Sequence, residues 1–124
     1  MKLDLHIHST YSDGAYTPQM LVDTAQSIGL TVMAITDHDN VLSYDIATNY
    51  IKEKGLDIEV IPGVEINTIY NNEEIHILGY FMDFENSDFK KMLKDFNINC
   101  ELLVSGITKK QKEDILNRLT FIQR

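Results

Sequence analysis

Leu3-Asp4-Leu5-His6-Ile7-His8-Ser9-Thr10-Tyr11-Ser12-Asp13-Gly14 opens the chain and sets the terms for the rest of it. Leu3, Leu5 and Ile7 alternate with Asp4, His6 and His8, the period of two that a strand with unlike faces requires. The polar stretch from Ser9 to Gly14 reads as a loop at that strand's carboxyl end. Thr17-Pro18 then supplies an N-cap with proline at the first helical position. Leu21, Val22, Ala25 and Ile28 recur at helical spacing, and Gly29 is the stop. Val32 to Thr36 is a short apolar run, read as a buried strand that ends at Asp37-His38-Asp39-Asn40. Ser43 to Lys54 forms a second amphipathic helix closed by Gly55. Ile58 to Ile61 is a third strand, broken by Pro62-Gly63 and resuming through Val64, Glu65, Ile66 and Asn67. This alternation of strands and helices predicts an α/β fold with a largely parallel sheet and right-handed crossovers. The flanking helices, Pro18 to Ile28 and Ser43 to Lys54, pack on one side of it.

Farther along, Asn71-Asn72 reads as a turn and Ile75 to Phe81 as a fourth strand. Ser87 is placed to cap a third helix carrying Phe89, Leu93 and Phe96. Residues 97–107 are ambiguous between helix and loop. Thr108 with Gln111 fits a capping box, followed by a final helix with Ile115, Leu119 and Ile122 on one face. A chain of 124 residues suits one domain, 1–124. Its 19 acidic against 11 basic residues, net charge -8, argue against a broad non-specific grip on nucleic acid. No apolar run approaches the roughly 20 residues that span a bilayer, and the opening is too polar for a signal peptide. The expectation is a cytoplasmic protein with no membrane partner. Cys100, the single cysteine, excludes an internal disulfide and an all-cysteine zinc site. Beside Ile98, Leu102 and Leu103 it reads as a small buried hydrophobe.

The chemistry sits at strand ends. His6 and His8 leave the same face of one strand, and two such imidazoles can grip one metal ion. Asp13 follows in the first loop, Asp37 and His38 begin the second, Glu65 lies just past Pro62-Gly63, and His76 lies between Ile75 and Ile77. Taken singly, His-x-His is as compatible with a wet strand face, His76 with a satisfied core histidine and Glu65 with a surface carboxylate. Jointly they gather where parallel α/β folds place their working groups. Clustered carboxylates raise one another's pKa values unless cations intervene, so the set makes most sense metallated. Nitrogen and oxygen donors without thiolates suit Zn, Mn or Fe, and more than four candidate ligands point to at least two ions. Such a site binds phosphate oxygens and favours hydrolysis of phosphoesters. No Gly-x-Ser-x-Gly elbow and no phosphate-cradling glycine loop compete with this reading.

The segment Asp4 to Gly14 resembles the opening motif of the PHP domain, the polymerase-and-histidinol-phosphatase phosphoesterases. Ala34-Ile35-Thr36-Asp37-His38-Asp39 resembles the second motif, and Pro62-Gly63-Val64-Glu65-Ile66 and His76-Ile77-Leu78-Gly79-Tyr80 match those that follow, in the family's order. The resemblance covers Met1 to Phe89 and is nearest to stand-alone bacterial nucleoside-bisphosphate phosphatases and 5'-to-3' exoribonucleases. It implies the N-terminal part of a distorted (β/α)7 TIM-like barrel with up to three divalent ions. It makes His6 and His8 ligands of one ion, Asp13 and His38 ligands of a second, Glu65 a bridge and His76 the holder of a third, with Asp37 as an orienting group. The implied substrate is a small phosphorylated molecule, a nucleotide or a short oligonucleotide.

The family's later motifs, a histidine in the second half and an Asp-x-His, have no counterpart, since no histidine follows His76. The chain therefore reads as the front half of such a protein, with self-association expected to cover the open half-barrel. The competing reading is a metal-binding or interaction module with little turnover. An amidohydrolase-type barrel also begins with His-x-His, but Thr36-Asp37-His38-Asp39 and Pro62-Gly63-Val64-Glu65 fit it poorly.

Overall fold

The computed structural model describes residues 1–104, with side chains to Asp95. Its elements are β1 (Leu3–Ile7), α1 (Pro18–Ile28), β2 (Val32–Ile35), α2 (Leu42–Lys54), β3 (Glu59–Val60), β4 (Gly63–Tyr70), β5 (Glu73–Tyr80) and α3 (Ser87–Val104). They fall into two compact units. The first comprises Met1–Glu65 with Leu78–Met82; the second comprises Ile66–Ile77 and the chain from Asp83.

In the first unit, β1, β2 and β3 lie in that order in one sheet. Both pairings are parallel, Leu3 beside Val32 and Val32 beside Glu59. The α/β expectation holds. Each crossover is a helix whose ends the sequence marks. Thr17 accepts from the Met20 amide at 3.2 Å with Pro18 next to it, and Gly29 closes α1 in the left-handed region. Gly55 closes α2 in the same way. Val22 and Ala25 from α1, Ala47 from α2, Met33 and Ile35 from β2, and Ile58 and Val60 from the third strand segment form one apolar core. A single core shared by both helices and the sheet means that both helices cover one face, as the alternation predicts. Met33 and Val22 are fully buried, so truncating either leaves a cavity.

Two expectations are corrected. The run after Pro62-Gly63 does not extend the third strand. β3 ends at Val60, and β4 pairs with β5 in a separate two-stranded sheet. Asn71 and Asn72 form the connecting turn with φ 51 and 63. Asparagine tolerates that region, and two such residues make the turn type that joins antiparallel strands. The cap of α3 is also shifted by one residue: the Asn86 side chain, not Ser87, accepts from the amides of Asp88 and Phe89 at 3.0 and 3.1 Å. The expected final helix around Ile115, Leu119 and Ile122, and the surroundings of Phe96 and Cys100, lie outside the described residues. No helix among the described residues is long and apolar enough to cross a membrane.

Candidate metal centre

Parallel pairing brings three strand ends together. His6 sits on β1 and His8 one residue past it, and Asp37 and His38 follow β2. Glu65 is stitched to the end of β2 by two backbone bonds: its amide donates to the Asp37 carbonyl at 3.1 Å, and its carbonyl accepts from the Asp39 amide at 2.9 Å. An isolated parallel bridge between His38 and Glu65 records the same register. Asp39 takes φ 49 to turn the chain away at this point. The first loop is held tightly as well. The Gly14 amide donates to the Ser9 carbonyl at 2.9 Å, and a Cβ at Gly14 would lie 2.1 Å from the His8 carbonyl oxygen. Only glycine allows the loop to fold back so closely over the His8 backbone, which sets both His8 and Asp13.

The donors converge. Oε2 of Glu65 lies 3.0 Å from His6 Nε2, 2.8 Å from His8 Nε2 and 3.7 Å from His38 Nε2. Asp13 reaches the other side of this group, with Oδ1 3.2 Å from His8 Nδ1 and Oδ2 3.3 Å from His38 Nε2. His8 and His38 stack with ring centroids 4.6 Å apart, and His6 tilts against His8 at 5.1 Å. Glu65 is buried while Asp13 is two-thirds exposed, so the cluster has a carboxylate floor and a carboxylate rim. Burial pushes the Glu65 carboxyl up, but the hydrogen bond from His6 and the charges of His38, His6 and His8 outweigh it and hold it below the usual range. Desolvation likewise pushes the Asp13 carboxyl up, and the charges of His8 and His38 outweigh it and hold Asp13 low. Both groups are therefore carboxylates at neutral pH.

This donor set fits a divalent cation. Three imidazoles crowd one carboxylate oxygen, which has two lone pairs for hydrogen bonds. Separations near 3 Å between ligand atoms are those of groups sharing one ion through bonds of about 2.0–2.2 Å. Within this unit, His6, His8 and Glu65 form one such group, and His8, Asp13 and His38 form another.

Asp37 is not in either group. Its side chain is fully buried and is surrounded by donors. Oδ1 accepts from the Ser9 amide at 2.6 Å and the Ser12 hydroxyl at 2.7 Å. Oδ2 accepts from the Ser9 hydroxyl at 2.6 Å and from the Ser43 hydroxyl. One carboxylate thus ties the first loop to the start of α2. Sequence reasoning singled out Asp37 but missed Ser9, Ser12, Ser43 and Gly14. The available signal was the serine spacing before Asp13-Gly14. Tyr80 was also missed; its hydroxyl donates to the Leu5 carbonyl at 2.6 Å. The last expected ligand, His76, lies on β5 in the second unit, where its Nε2 is 2.8 Å from Glu74 Oε1.

A family model described as the PHP domain matches residues 4–117, and the chain belongs to that family. It is similar to the 5'-3' exoribonuclease Rnm of Salmonella typhimurium, 42% identical over 90 residues that cover 73% of this chain and 31% of that protein. It is also similar to the 3',5'-nucleoside bisphosphate phosphatase of Chromobacterium violaceum, 35% identical over 81 residues covering 65% and 28%. Among solved structures, a protein of Bifidobacterium adolescentis classed as a metal-dependent phosphoesterase superposes with TM-score 0.69 at 33% identity, covering 77% of this chain and 32% of that one. An amidohydrolase of Chromobacterium violaceum, solved with sulfate and without metal, gives TM-score 0.69 at 28% identity, covering 87% and 40%. The chain spans about a third of the length of the curated relatives it matches.

Proposed function

We propose that this chain carries the metal-binding front of an enzyme that hydrolyses phosphoesters, with a nucleotide, a nucleoside bisphosphate or a short oligonucleotide as substrate. The observation that carries the reading is the convergence of the His6, His8 and His38 Nε2 atoms on Oε2 of buried Glu65. In this reading His6, His8 and Glu65 hold one divalent ion, Asp13 and His38 a second, and Glu65 bridges the two. His76, on the hairpin to which Glu65 also belongs, is the protein ligand of a third. Zn, Mn and Fe all suit these donors. The names of the relatives, an exoribonuclease and a nucleoside bisphosphate phosphatase, support the substrate class.

A divalent ion bound there supplies positive charge that polarises a phosphoryl oxygen and makes water more acidic. The chain's own residues do the rest. Glu65 and Asp13, both ionised, balance that charge, so the site attracts a phosphate only when it is loaded. His6 is half exposed beside the buried carboxylate, so an ion held there is open to an entering phosphate. Asp37 orients the loop that presents His8 and Asp13. Self-association through the β1 edge of the sheet, unpaired by another strand among the described residues, and a cytoplasmic setting complete the proposal.

The test is hydrolysis of an aryl phosphate and of a nucleoside bisphosphate by the purified chain, with Mn²⁺ and with a chelator. Metal-dependent turnover that His6→Ala removes supports the reading. Mn²⁺ binding without any turnover would reduce this chain to a metal-binding module, and no binding at all would overturn the reading.

A further inference from the structure

The geometry points to Ser12 as the positioning residue that decides which ring nitrogen of His8 faces the ion, with buried Asp37 enforcing the choice. The inference rests on the proposed metal site and adds a role for two residues that hold no ion.

A serine hydroxyl carries one hydrogen and two lone pairs. Ser12 Oγ stands among three partners: Asp37 Oδ1 at 2.7 Å, His8 Nδ1 at 3.4 Å and Asp13 Oδ1 at 3.4 Å. The hydrogen goes to Asp37, because that contact is far shorter and its acceptor is a fully buried carboxylate. Asp37 cannot return a hydrogen. It is ringed by donors, with the Ser9 amide on Oδ1 and the Ser9 and Ser43 hydroxyls on Oδ2. Ser12 is left with lone pairs alone for His8, so Nδ1 must be the nitrogen that donates. Asp13 Oδ1, 3.2 Å from the same nitrogen, asks for the same hydrogen.

A neutral imidazole protonated at Nδ1 has a lone pair at Nε2. That lone pair faces Oε2 of Glu65 across 2.8 Å. Two lone pairs so close repel, and a cation bound to both relieves the repulsion. The relay from Asp37 through Ser12 thus keeps His8 in the state in which Nε2 is a ligand, and it places His8 with His6 and Glu65 rather than with Asp13 and His38. Outer partners of this kind are commonly worth 10- to 100-fold in metal affinity.

The experiment is ¹⁵N NMR of the histidine rings in the full chain loaded with Zn²⁺, alongside calorimetric Zn²⁺ titration. The expected His8 signals are a zinc-shifted Nε2 and an Nδ1 that keeps its hydrogen. Ser12→Ala should weaken Zn²⁺ binding about 10-fold, while Ser12→Thr, which keeps the hydroxyl, should restore it. Zinc on Nδ1 of wild-type His8, or undiminished Zn²⁺ affinity in folded Ser12→Ala, would each overturn the inference. If the wild type takes up no Zn²⁺, the proposed function fails, whereas Zn²⁺ uptake that Ser12→Ala leaves unchanged sinks the role of Ser12 alone.

Discussion

His8 Nε2 lies 2.8 Å from Oε2 of Glu65, although His8 follows β1 and Glu65 lies on β4, strands of different sheets. The contact exists because β2 stands between them. β2 pairs with β1 on one side, and the chain just beyond it pairs with Glu65 on the other. The backbone bonds that hold Glu65 to Asp37 and Asp39 therefore do as much for the site as the side chains do.

Gly14→Ala should cost more than a loop substitution normally does. The added methyl would meet the His8 carbonyl at 2.1 Å, and that backbone cannot retreat without moving His8. A loss of about 1–3 kcal/mol is expected from such overpacking. Denaturant titration measures it, and divalent-ion affinity should fall in the same protein.

Asp37→Ala should be among the most damaging single changes. It strips one buried amide of its partner and removes the acceptor that the hydroxyls of Ser9, Ser12 and Ser43 share. Buried donors left unpaired cost about 1–3 kcal/mol each, without full additivity, so a loss of roughly 2–4 kcal/mol is expected. Ser43→Ala removes one donor and should cost about 1 kcal/mol. Urea unfolding of the two variants gives the comparison.

Acid should weaken the metal-free fold in a defined window. The folded-state pKa values of Glu65 and Asp13 lie below their ordinary values of 4.5 and 3.8. A depressed carboxyl pKa contributes stability that is present above the unfolded value and is lost as pH falls through the folded one. Stability should therefore decline from about pH 4.5 downward, and Glu65→Gln should flatten that decline. Thermal melts across this range, with chelator present, provide the measurement.

Much of this molecule could be read from its residues because local signals agreed with the fold. Thr17-Pro18 and Gly29 bracket α1, and period two and helical spacing alternate through Lys54. The hairpin was half legible: Asn71-Asn72 marks the turn, but nothing local tells whether Val64 extends the previous strand or starts another sheet. Asn86 and Ser87 are both good caps, and local sequence does not rank them. The six expected metal ligands were visible as residue types, His6, His8, Asp13 and His38 at strand ends and Glu65 and His76 on strands. The Ser9, Ser12 and Ser43 hydroxyls were not, because their role appears only when two loops and a helix start meet around Asp37. Gly14 was seen as part of a motif, while its reason, the closeness of the His8 carbonyl, is a tertiary fact.

The most direct test of the central claim is calorimetric titration of the full chain with Mn²⁺ or Zn²⁺, with bound ions counted per chain. At least one ion per wild-type chain is expected. His8→Ala should abolish most of that binding, since it removes a donor that faces both Glu65 and Asp13, and Cys100→Ser should leave it intact. Undiminished binding by folded His8→Ala, or no ion in the wild type, would contradict the account.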